Sequence, residues 1–427
     1  MKDIQRTFMY HGGEHKCINC VENGLPLNVE NVMKSSRFHK RCGTSFLFFV
    51  VIISAILLML IRSESHSTRL VIRILLIPVV AGISYEFIRL AGTSENKCIN
   101  VLSKPGLAMQ KFTTREPDET MAEVAIAAVE AVFDWRAFLK ENYDLDVPKY
   151  TLSEACIKAA AELQEAEVEE SGNIARELML YLKGMTKNDY ALRSAEVLND
   201  TDRQKYFALI DRIKAGEPLQ YITGKADFYG YEFKVTPDVL IPRFDTEVLV
   251  KAALDRVKEG SPVLDLCTGS GCIIISMCKE KVIKGTGADI SNAALKIASE
   301  NAAKLGVHCS WIKSDMFNAG LGKYGMIVSN PPYIKTEVIG TLDANVKDHE
   351  PLSALDGGED GLDYYRIIAK EAKRHLLDGG DLLVEIGFDQ AAEVTGLFKE
   401  AGYDNIEVIK DLSGLDRVVA CRTGKEA

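Results

Sequence analysis

The chain has a single Pro-Pro pair, Pro331-Pro332, which closes the apolar run Ile327-Val328-Ser329-Asn330 and is followed by Tyr333-Ile334. Proline lacks a backbone N–H and drives the residue before it out of the helical region, so this stretch must leave a strand as a rigid extended turn. Asn330 is therefore held at a strand's carboxyl end, where open α/β sheets bind ligands. Its side-chain carbonyl and the Pro331 main-chain carbonyl can accept hydrogen bonds from a planar –NH2 group, while Tyr333 covers the flat face. For Asn-Pro alone an ordinary strand-to-loop exit is the better reading. Pro332, Tyr333 and a cofactor site upstream favour function.

Such a site is legible. Pro262-Val263-Leu264-Asp265-Leu266 reads as a short apolar strand, and Cys267-Thr268-Gly269-Ser270-Gly271-Cys272 turns into the apolar helix Ile273 to Cys278. Glycines in such a turn let a ligand approach the backbone, which makes Asp265, Thr268, Gly269 and Gly271 candidate cofactor residues. Three positions after Gly271 stands Ile274, so the third glycine of a dinucleotide fingerprint is absent and no pyrophosphate is implied. The next strand ends at Asp289, 20 residues after Gly269, the spacing at which an acid accepts hydrogen bonds from ribose hydroxyls. A third strand, Cys309 to Ile312, leads to Asp315, placed to receive an adenine amino group, and to Phe317, placed to pack on the ring. Each aspartate alone reads equally well as a helix cap. Together, with Asn330 on the fourth strand end, they lay out adenosine, ribose and the Asn-Pro-Pro turn along one sheet edge.

The length of 427 residues implies two or three domains. A formal net charge of −10 and a pI near 5.4 argue against a general nucleic-acid binder, which must neutralise phosphates, although a local basic groove stays possible. The ten cysteines are scattered, as in a reducing compartment.

The amino-terminal part is different in kind. His11-Gly12-Gly13-Glu14-His15 spells H-x-x-E-H, which on a helix sets two imidazoles on one face, and Cys17-x-x-Cys20 and His39-x-x-Cys42 add soft ligands suited to zinc. His11, His15 and His39 are the candidate metal ligands. The two glycines weigh against a helix there, each costing about 1 kcal/mol relative to alanine. Gly43 to Ile61 carries no charge, and nineteen helical residues rise roughly 28 Å, close to the hydrocarbon thickness. A second apolar segment, Leu70 to Leu90, contains Arg73, Pro78, Glu86 and Arg89 and spans only if these charges snorkel or pair. The expectation is a transmembrane hairpin over 43–61 and 70–90. Lys34, Arg37, Lys40 and Arg41 before it, and Arg89, Lys97, Lys104 and Lys111 after it, outnumber Arg62 and Arg69 in the loop, so both flanks face the cytoplasm. Residues 1–117 form this membrane-associated region. They resemble a family of uncharacterised bacterial membrane proteins described as predicted metal-dependent enzymes, through His11 to His15, Arg37 to Phe46, Pro105-Gly106-Leu107 and Thr113 to Pro117. Members of that family are longer at the amino end.

Residues 118–148 read as a helical linker, with an amphipathic stretch from Asp118 to Lys140, and 149–217 as a helical recognition domain in which Leu152, Ala155, Cys156, Ala159 and Leu163 recur at helical spacing. Residues 218–247 read as a β-hairpin connector, Gln220 to Val235 being strand-forming and broken by glycines. The catalytic core then occupies 248–427.

Residues from about 150 to 423 resemble the release-factor glutamine methyltransferases, the HemK/PrmC group of S-adenosylmethionine enzymes. The matching residues include Pro218 to Gly224, Phe228, Val239-Leu240-Ile241-Pro242-Arg243, Thr246-Glu247 and Asp265 to Gly271. Further along they are Asp289, Asn330 to Tyr333, Glu350-Pro351, Ala354 to Gly358, Asp360-Gly361-Leu362 and Glu385-Ile386-Gly387. Cys267 departs where glycine is usual, and Phe244-Asp245 replaces the usual Pro-Glu. The resemblance implies a Rossmann-like class I fold with a mostly parallel doubly wound sheet, S-adenosylmethionine as methyl donor, and the glutamine of the Gly-Gly-Gln tip of peptide chain release factors as acceptor. Asn330, Pro331 and Tyr333 would carry catalysis; Pro332, Ile241, Pro242 and Arg243 would help bind the protein substrate; no metal is required. The enzyme would sit at a bacterial membrane with its catalytic domain in the cytoplasm and bind no nucleic acid. Two alternatives stand: a DNA or RNA amino-methyltransferase sharing the Asn-Pro-Pro-Tyr turn, and a membrane metal protein with an inactive methyltransferase passenger.

Overall fold

A computed structural model describes residues 2–60, 66–93 and 97–424, so the loop cation Arg62 lies outside the described residues. The chain divides into two compact units, Met1–Ala155 with Thr186–Tyr206, and Cys156–Met185 with Phe207–Ala427.

In the first unit α1 (Lys2–Glu22) runs straight through Gly12-Gly13. These glycines are required by packing. A Cβ at Gly12 would meet the Arg115 carbonyl oxygen at 2.0 Å, and one at Gly13 would lie 3.3 Å from Ala125 Cβ. The close approach offsets the weak helix propensity. Helix α2 (Val29–Lys34) follows, with α3 (Gly43–Leu60), α4 (His66–Thr93) and α5 (Lys97–Thr113). The amphipathic stretch after Asp118 is two helices, α6 (Glu119–Val132) and α7 (Trp135–Tyr143), because Asp134 accepts from the Ala137 N–H at 3.1 Å and starts a new helix. Cys17, Cys20, Leu27, Val32, Trp135 and Leu139 form the core between α1, α2, α6 and α7.

Of the two apolar helices, the stretch Leu70–Ala91 of α4 is long and apolar enough to cross a membrane, with 22 residues and a mean hydropathy of 2.0, whereas Gly43–Met59 of α3 is shorter. The expected first span, 43–61, ends at Ile61, which lies outside the described residues. Glu86 and Arg89 on α4 pair at 2.9 Å, and α4 meets α3 through the rings of Phe87 and Phe49, 4.5 Å apart. Helices α8 (Leu152–Glu165), α9 (Ser171–Lys183), α10 (Lys187–Arg193) and α11 (Asp200–Lys214) are divided between the units.

The second unit contains α12 (Leu219–Thr223), a helix where strand was expected; Gly224 ends it at φ +71°. The hairpin proper is β1 (Lys225–Phe228) and β2 (Tyr231–Lys234), turned by Tyr229 and Gly230, both at positive φ. Next come α13 (Glu247–Leu254), β3 (Pro262–Leu266), α14 (Cys272–Glu280), β4 (Lys284–Asp289), α15 (Asn292–Leu305), β5 (Cys309–Lys313) and β6 (Tyr324–Ser329). The short α16 (Thr336–Ile339) and α17 (Ala344–Lys347) precede α18 (Asp363–Glu371), β7 (Leu376–Glu385), α19 (Ala391–Glu400), β8 (Asp404–Lys410) and β9 (Asp416–Arg422).

The sheet order is β5-β4-β3-β6-β7-β9-β8, parallel except that β9 runs against both its neighbours. Successive strand residues alternate between two cores. Val263, Met326, Val328 and Leu383 join α13 and α14 on one face, while Leu264, Ile327, Leu382 and Val384 join α18 and α19 on the other. Burial on both faces explains why these strands read as continuous apolar runs. The order reverses between β3 and β6, and the crevice at their carboxyl ends is where such sheets take ligands.

Candidate active site

Leu266, the last residue of β3, pairs with Ser329, the last of β6, so the glycine turn and the Asn-Pro-Pro-Tyr turn leave adjacent strands at one level. The Ser329 hydroxyl donates to the Leu266 carbonyl at 2.8 Å and ties the two exits together.

The glycine turn is built from below. Asp265, fully buried, accepts from the Thr268 hydroxyl at 2.6 Å, and burial pushes its pKa up to about 7 against that hydrogen bond. It supports the turn. Asp289 accepts from the Gly269 N–H at 2.9 Å and, with its other oxygen, from the Ser291 N–H at 2.9 Å. Each oxygen keeps a lone pair for a further donor. At Gly287 a Cβ would strike Trp311 at 2.4 Å, and at Gly271 it would meet Ile275 at 2.8 Å and Ala298 at 3.1 Å before Trp311 at 3.2 Å, so Gly287 makes room for the indole and Gly271 for the helices packed behind the turn. Gly269 differs: its φ is +53° and a Cβ there would meet nothing within 4 Å. Helix α14 begins without a side-chain cap, leaving N–H groups for an anionic ligand group. Asp315 is exposed at the rim; Phe317 is buried and one of its faces is taken by His375, the ring centroids 5.2 Å apart. An open glycine backbone, an uncapped helix end and an acid at the next strand end fit a nucleoside carrying an amino-acid carboxylate.

Beside this cradle Pro331 and Pro332 are buried, and Asn330 and Tyr333 are half-buried. Asn330 Nδ2 donates to Thr246 Oγ1 at 3.3 Å. The Tyr333 hydroxyl donates to Glu385 Oε1 at 3.4 Å, and its carbonyl accepts from Gln390 Nε2 at 3.0 Å. Glu385 is 1 % exposed, and burial pushes its pKa up to about 7, against the opposing influence of Thr246 and Arg417. Two glycines press on the turn from outside: a Cβ at Gly357 would lie 2.7 Å from Tyr333 Cα, and one at Gly361 would lie 2.5 Å from the Tyr333 carbonyl oxygen. The Gly-Gly and Asp-Gly-Leu motifs of the sequence thus hold Tyr333.

In the candidate partner-binding segment Ile241 faces the interior with Tyr221, Val235 and Val239, while Pro242 and Arg243 are half-buried. Arg243 pairs with the buried Glu350. Of the two departures in sequence, Asp245 forms an ion pair with Arg417 at 3.1 Å, and Phe244 is exposed. Thr246, Glu385, Gln390 and Trp311 were not marked as site residues by spacing alone, because each meets its partner across a long chain separation.

In the first unit the structure brings His11 and His15 to Cys42, their ligand atoms all within 4.8 Å of one another. His39 turns away: its Nε2 meets Glu22 Oε2 at 3.0 Å and its Nδ1 accepts from the Arg41 N–H at 3.3 Å. Cys17 and Cys20 are core residues.

A parallel sheet reversed only at its last hairpin, with a glycine turn at the switch point, is the arrangement of class I methyltransferases that use S-adenosylmethionine, and the cradle stands where that class holds its cofactor. Comparison with known proteins narrows the class. Family models match as the PrmC N-terminal domain over residues 154–224, the methyltransferase small domain over 243–344, and a protein of unknown function (DUF1385) over 1–135. A release factor glutamine methyltransferase of Agrobacterium fabrum is 38% identical over 281 residues, covering 64% of this chain and 97% of the relative. One from Geobacter sulfurreducens is 42% identical over 229 residues, covering 53% and 81%. A solved release factor-specific protein-(glutamine-N5) methyltransferase of Alicyclobacillus acidocaldarius is 33% identical, covering 45% of this chain and 99% of that one, with a TM-score of 0.28. The chain belongs to the release factor glutamine methyltransferase family.

Proposed function

We propose that this chain transfers a methyl group from S-adenosylmethionine to the side-chain amide nitrogen of the glutamine in the Gly-Gly-Gln motif of peptide chain release factors. The observation that carries the reading is the 3.3 Å hydrogen bond from Asn330 Nδ2 to Thr246 Oγ1. It commits the amide's donor end to the protein and leaves its acceptor end, Oδ1, for a substrate –NH2 group. The Pro331 carbonyl is the second acceptor, and Tyr333, braced by Glu385 and Gln390, covers the planar amide.

When bound, S-adenosylmethionine supplies an electrophilic sulfonium methyl. The difficulty lies with the carboxamide nitrogen, whose lone pair is delocalised. Two acceptors aimed at its N–H groups favour the positive charge that develops on nitrogen and hold the amide in line. The alkylated amide is strongly acidic and gives its proton to water, so no early base is needed. Gly269, Gly271 and Thr268 shape the cofactor cradle over Asp265; Asp289 faces the ribose, and Asp315 and Phe317 the adenine. Pro242 and Arg243, steadied by Ile241 and Glu350, contact the release factor together with the helical segment 149–217.

The apolar surface of α3 and α4 supports a membrane hairpin that holds the catalytic unit at the cytoplasmic face of a bacterial membrane. Leu47, Val51, Ile56, Leu70, Ile74 and Leu75 are each more than half exposed, more apolar surface than a water-facing helix carries without a partner.

Labelling with tritiated S-adenosylmethionine tests the reading. Release factor should take up label, a variant with the Gly-Gly-Gln glutamine changed to alanine should not, and DNA or RNA should stay unlabelled. Label on nucleic acid, or none on release factor, overturns it.

A further inference from the structure

The first unit holds a cluster that methyl transfer does not use. His11 and His15 stand one helical turn apart on α1, with ring centroids 4.4 Å apart. His11 Nδ1 lies 3.0 Å from the Thr113 carbonyl and His15 Nδ1 lies 2.8 Å from the Arg37 carbonyl. A carbonyl only accepts, so both Nδ1 atoms carry the proton and both Nε2 atoms keep a free lone pair. Such a hydrogen bond from the non-ligating nitrogen orients histidines in metal sites. The third group is Cys42, whose sulfur lies 3.5 Å from His11 Nε2 and accepts the Thr44 N–H at 3.4 Å, at the start of α3. With zinc–sulfur and zinc–nitrogen bonds of about 2.3 and about 2.0 Å at a tetrahedral angle, the two donor atoms stand about 3.5 Å apart. The His11–Cys42 pair already has that spacing, and the ligand atoms of all three residues lie within 4.8 Å of one another.

The loop that carries Cys42 is clamped to α1 and α5. Lys16 Nζ donates to the Met33 and Ser35 carbonyls at 2.8 and 2.7 Å, and Asn19 Nδ2 donates to the Ser36 and Phe38 carbonyls at 2.6 and 3.0 Å. Gln110 accepts from the His39 N–H at 2.9 Å and donates to the His39 carbonyl at 2.7 Å. His15 and Cys42 are buried and His11 is half-buried, so one side of the cluster opens outward.

We propose that His11, His15 and Cys42 form a site for one zinc-class divalent ion, held by two imidazole nitrogens and a thiolate, with the fourth position open to water or a ligand. Cys42 gives its thiol proton to solvent on binding. Three protein ligands and an open position are the arrangement of catalytic rather than structural zinc. The site is independent of the methyltransferase reading.

The full chain, purified in detergent, loaded with zinc and dialysed, is analysed for bound metal, and a cobalt-loaded sample is examined by absorption spectroscopy. About one ion per chain is expected, with a thiolate-to-cobalt charge-transfer band and tetrahedral d–d bands. His11→Ala with His15→Ala should abolish retention, Cys42→Ser should abolish the charge-transfer band, and His39→Ala should change neither. No retained metal in the wild-type chain would leave an imidazole–thiol pair only and overturn the proposal, whatever the variants' folding. So would a charge-transfer band that persists in Cys42→Ser, or a loss in His39→Ala equal to that in the double variant.

Discussion

Asn330 is held by Thr246, a residue 84 positions earlier in the chain, through a 3.3 Å hydrogen bond that fixes which end of the amide faces the cleft. Asn330→Ala should lower the rate of release-factor methylation about a thousand-fold, the scale of losing a group that stabilises developing charge. The dissociation constant for S-adenosylmethionine, measured by calorimetry, should hardly change. Thr246→Val leaves Asn330 in place but free to rotate, and should cost about ten- to a hundred-fold in kcat with little change in cofactor affinity. Equal turnover in both variants would remove Asn330 from the mechanism.

Glu385 carries a pH signature. Its pKa is raised by burial from 4.5 to about 7. Between those values the folded chain keeps a proton that the unfolded chain releases, so stability falls as pH rises through the window. The whole effect is on the order of 3 kcal/mol, at about 1.4 kcal/mol per unit. Glu385→Gln, which cannot ionise, should lose less stability than the wild type between pH values of about 5 and about 8. Urea midpoints at the two ends of the range measure the difference, and parallel curves would show that Glu385 is not the group responsible.

Gly357 lies against the backbone that follows the Pro-Pro pair, where an added Cβ would stand 2.7 Å from Tyr333 Cα and 2.9 Å from the Pro332 carbonyl oxygen. Backbone cannot rotate aside as a side chain can. Gly357→Ala should therefore displace the turn, costing about 1–3 kcal/mol of stability and lowering kcat by about ten-fold or more. Gly340→Ala, with nothing within 4 Å of the new atom, is the control and should behave as wild type in both assays.

Cys267 occupies a left-handed backbone conformation, φ +58°, a region that favours glycine. A non-glycine residue there costs roughly 1 kcal/mol or more. Cys267→Gly should relieve the strain at the cost of the contact between its sulfur and Met316 Sδ at 3.8 Å, leaving stability equal or slightly higher. Cys267→Val should be clearly less stable, because a branched Cβ is crowded in this region. The order Gly, Cys, Val in denaturant midpoint is the expected result; Val above Gly would show that packing outweighs backbone strain.

Much of the catalytic unit was legible because its signals are local. A Pro-Pro pair restricts the backbone whatever surrounds it, and the turns through Gly269 and Gly271 announce a strand-to-helix turn within a few residues. The spacing from Gly269 to Asp289 is that of one strand-turn-helix-strand unit. Local rules misread other places. The stretch from Gln220 looked like strand because Tyr and Ile favour strands, yet Leu219–Thr223 forms a helical turn that buries Tyr221 and Ile222. Gly12 and Gly13 argued against a helix whose reason for glycine is the Arg115 backbone and the Ala125 side chain packed against it.

What the sequence determined by itself, then, is the continuous apolar runs of the core strands, the rigid exit at Asn330-Pro331-Pro332 and the glycine turn through Gly269 and Gly271, all set by forces within a few residues. The tertiary structure decided which distant side chains complete each site: Thr246 on Asn330, Glu385 on Tyr333 across 52 residues, and Cys42 rather than His39 beside His11 and His15. Those pairings depend on sheet register and on how helices pack, and packing is settled by the summed burial of many side chains, which no local spacing records.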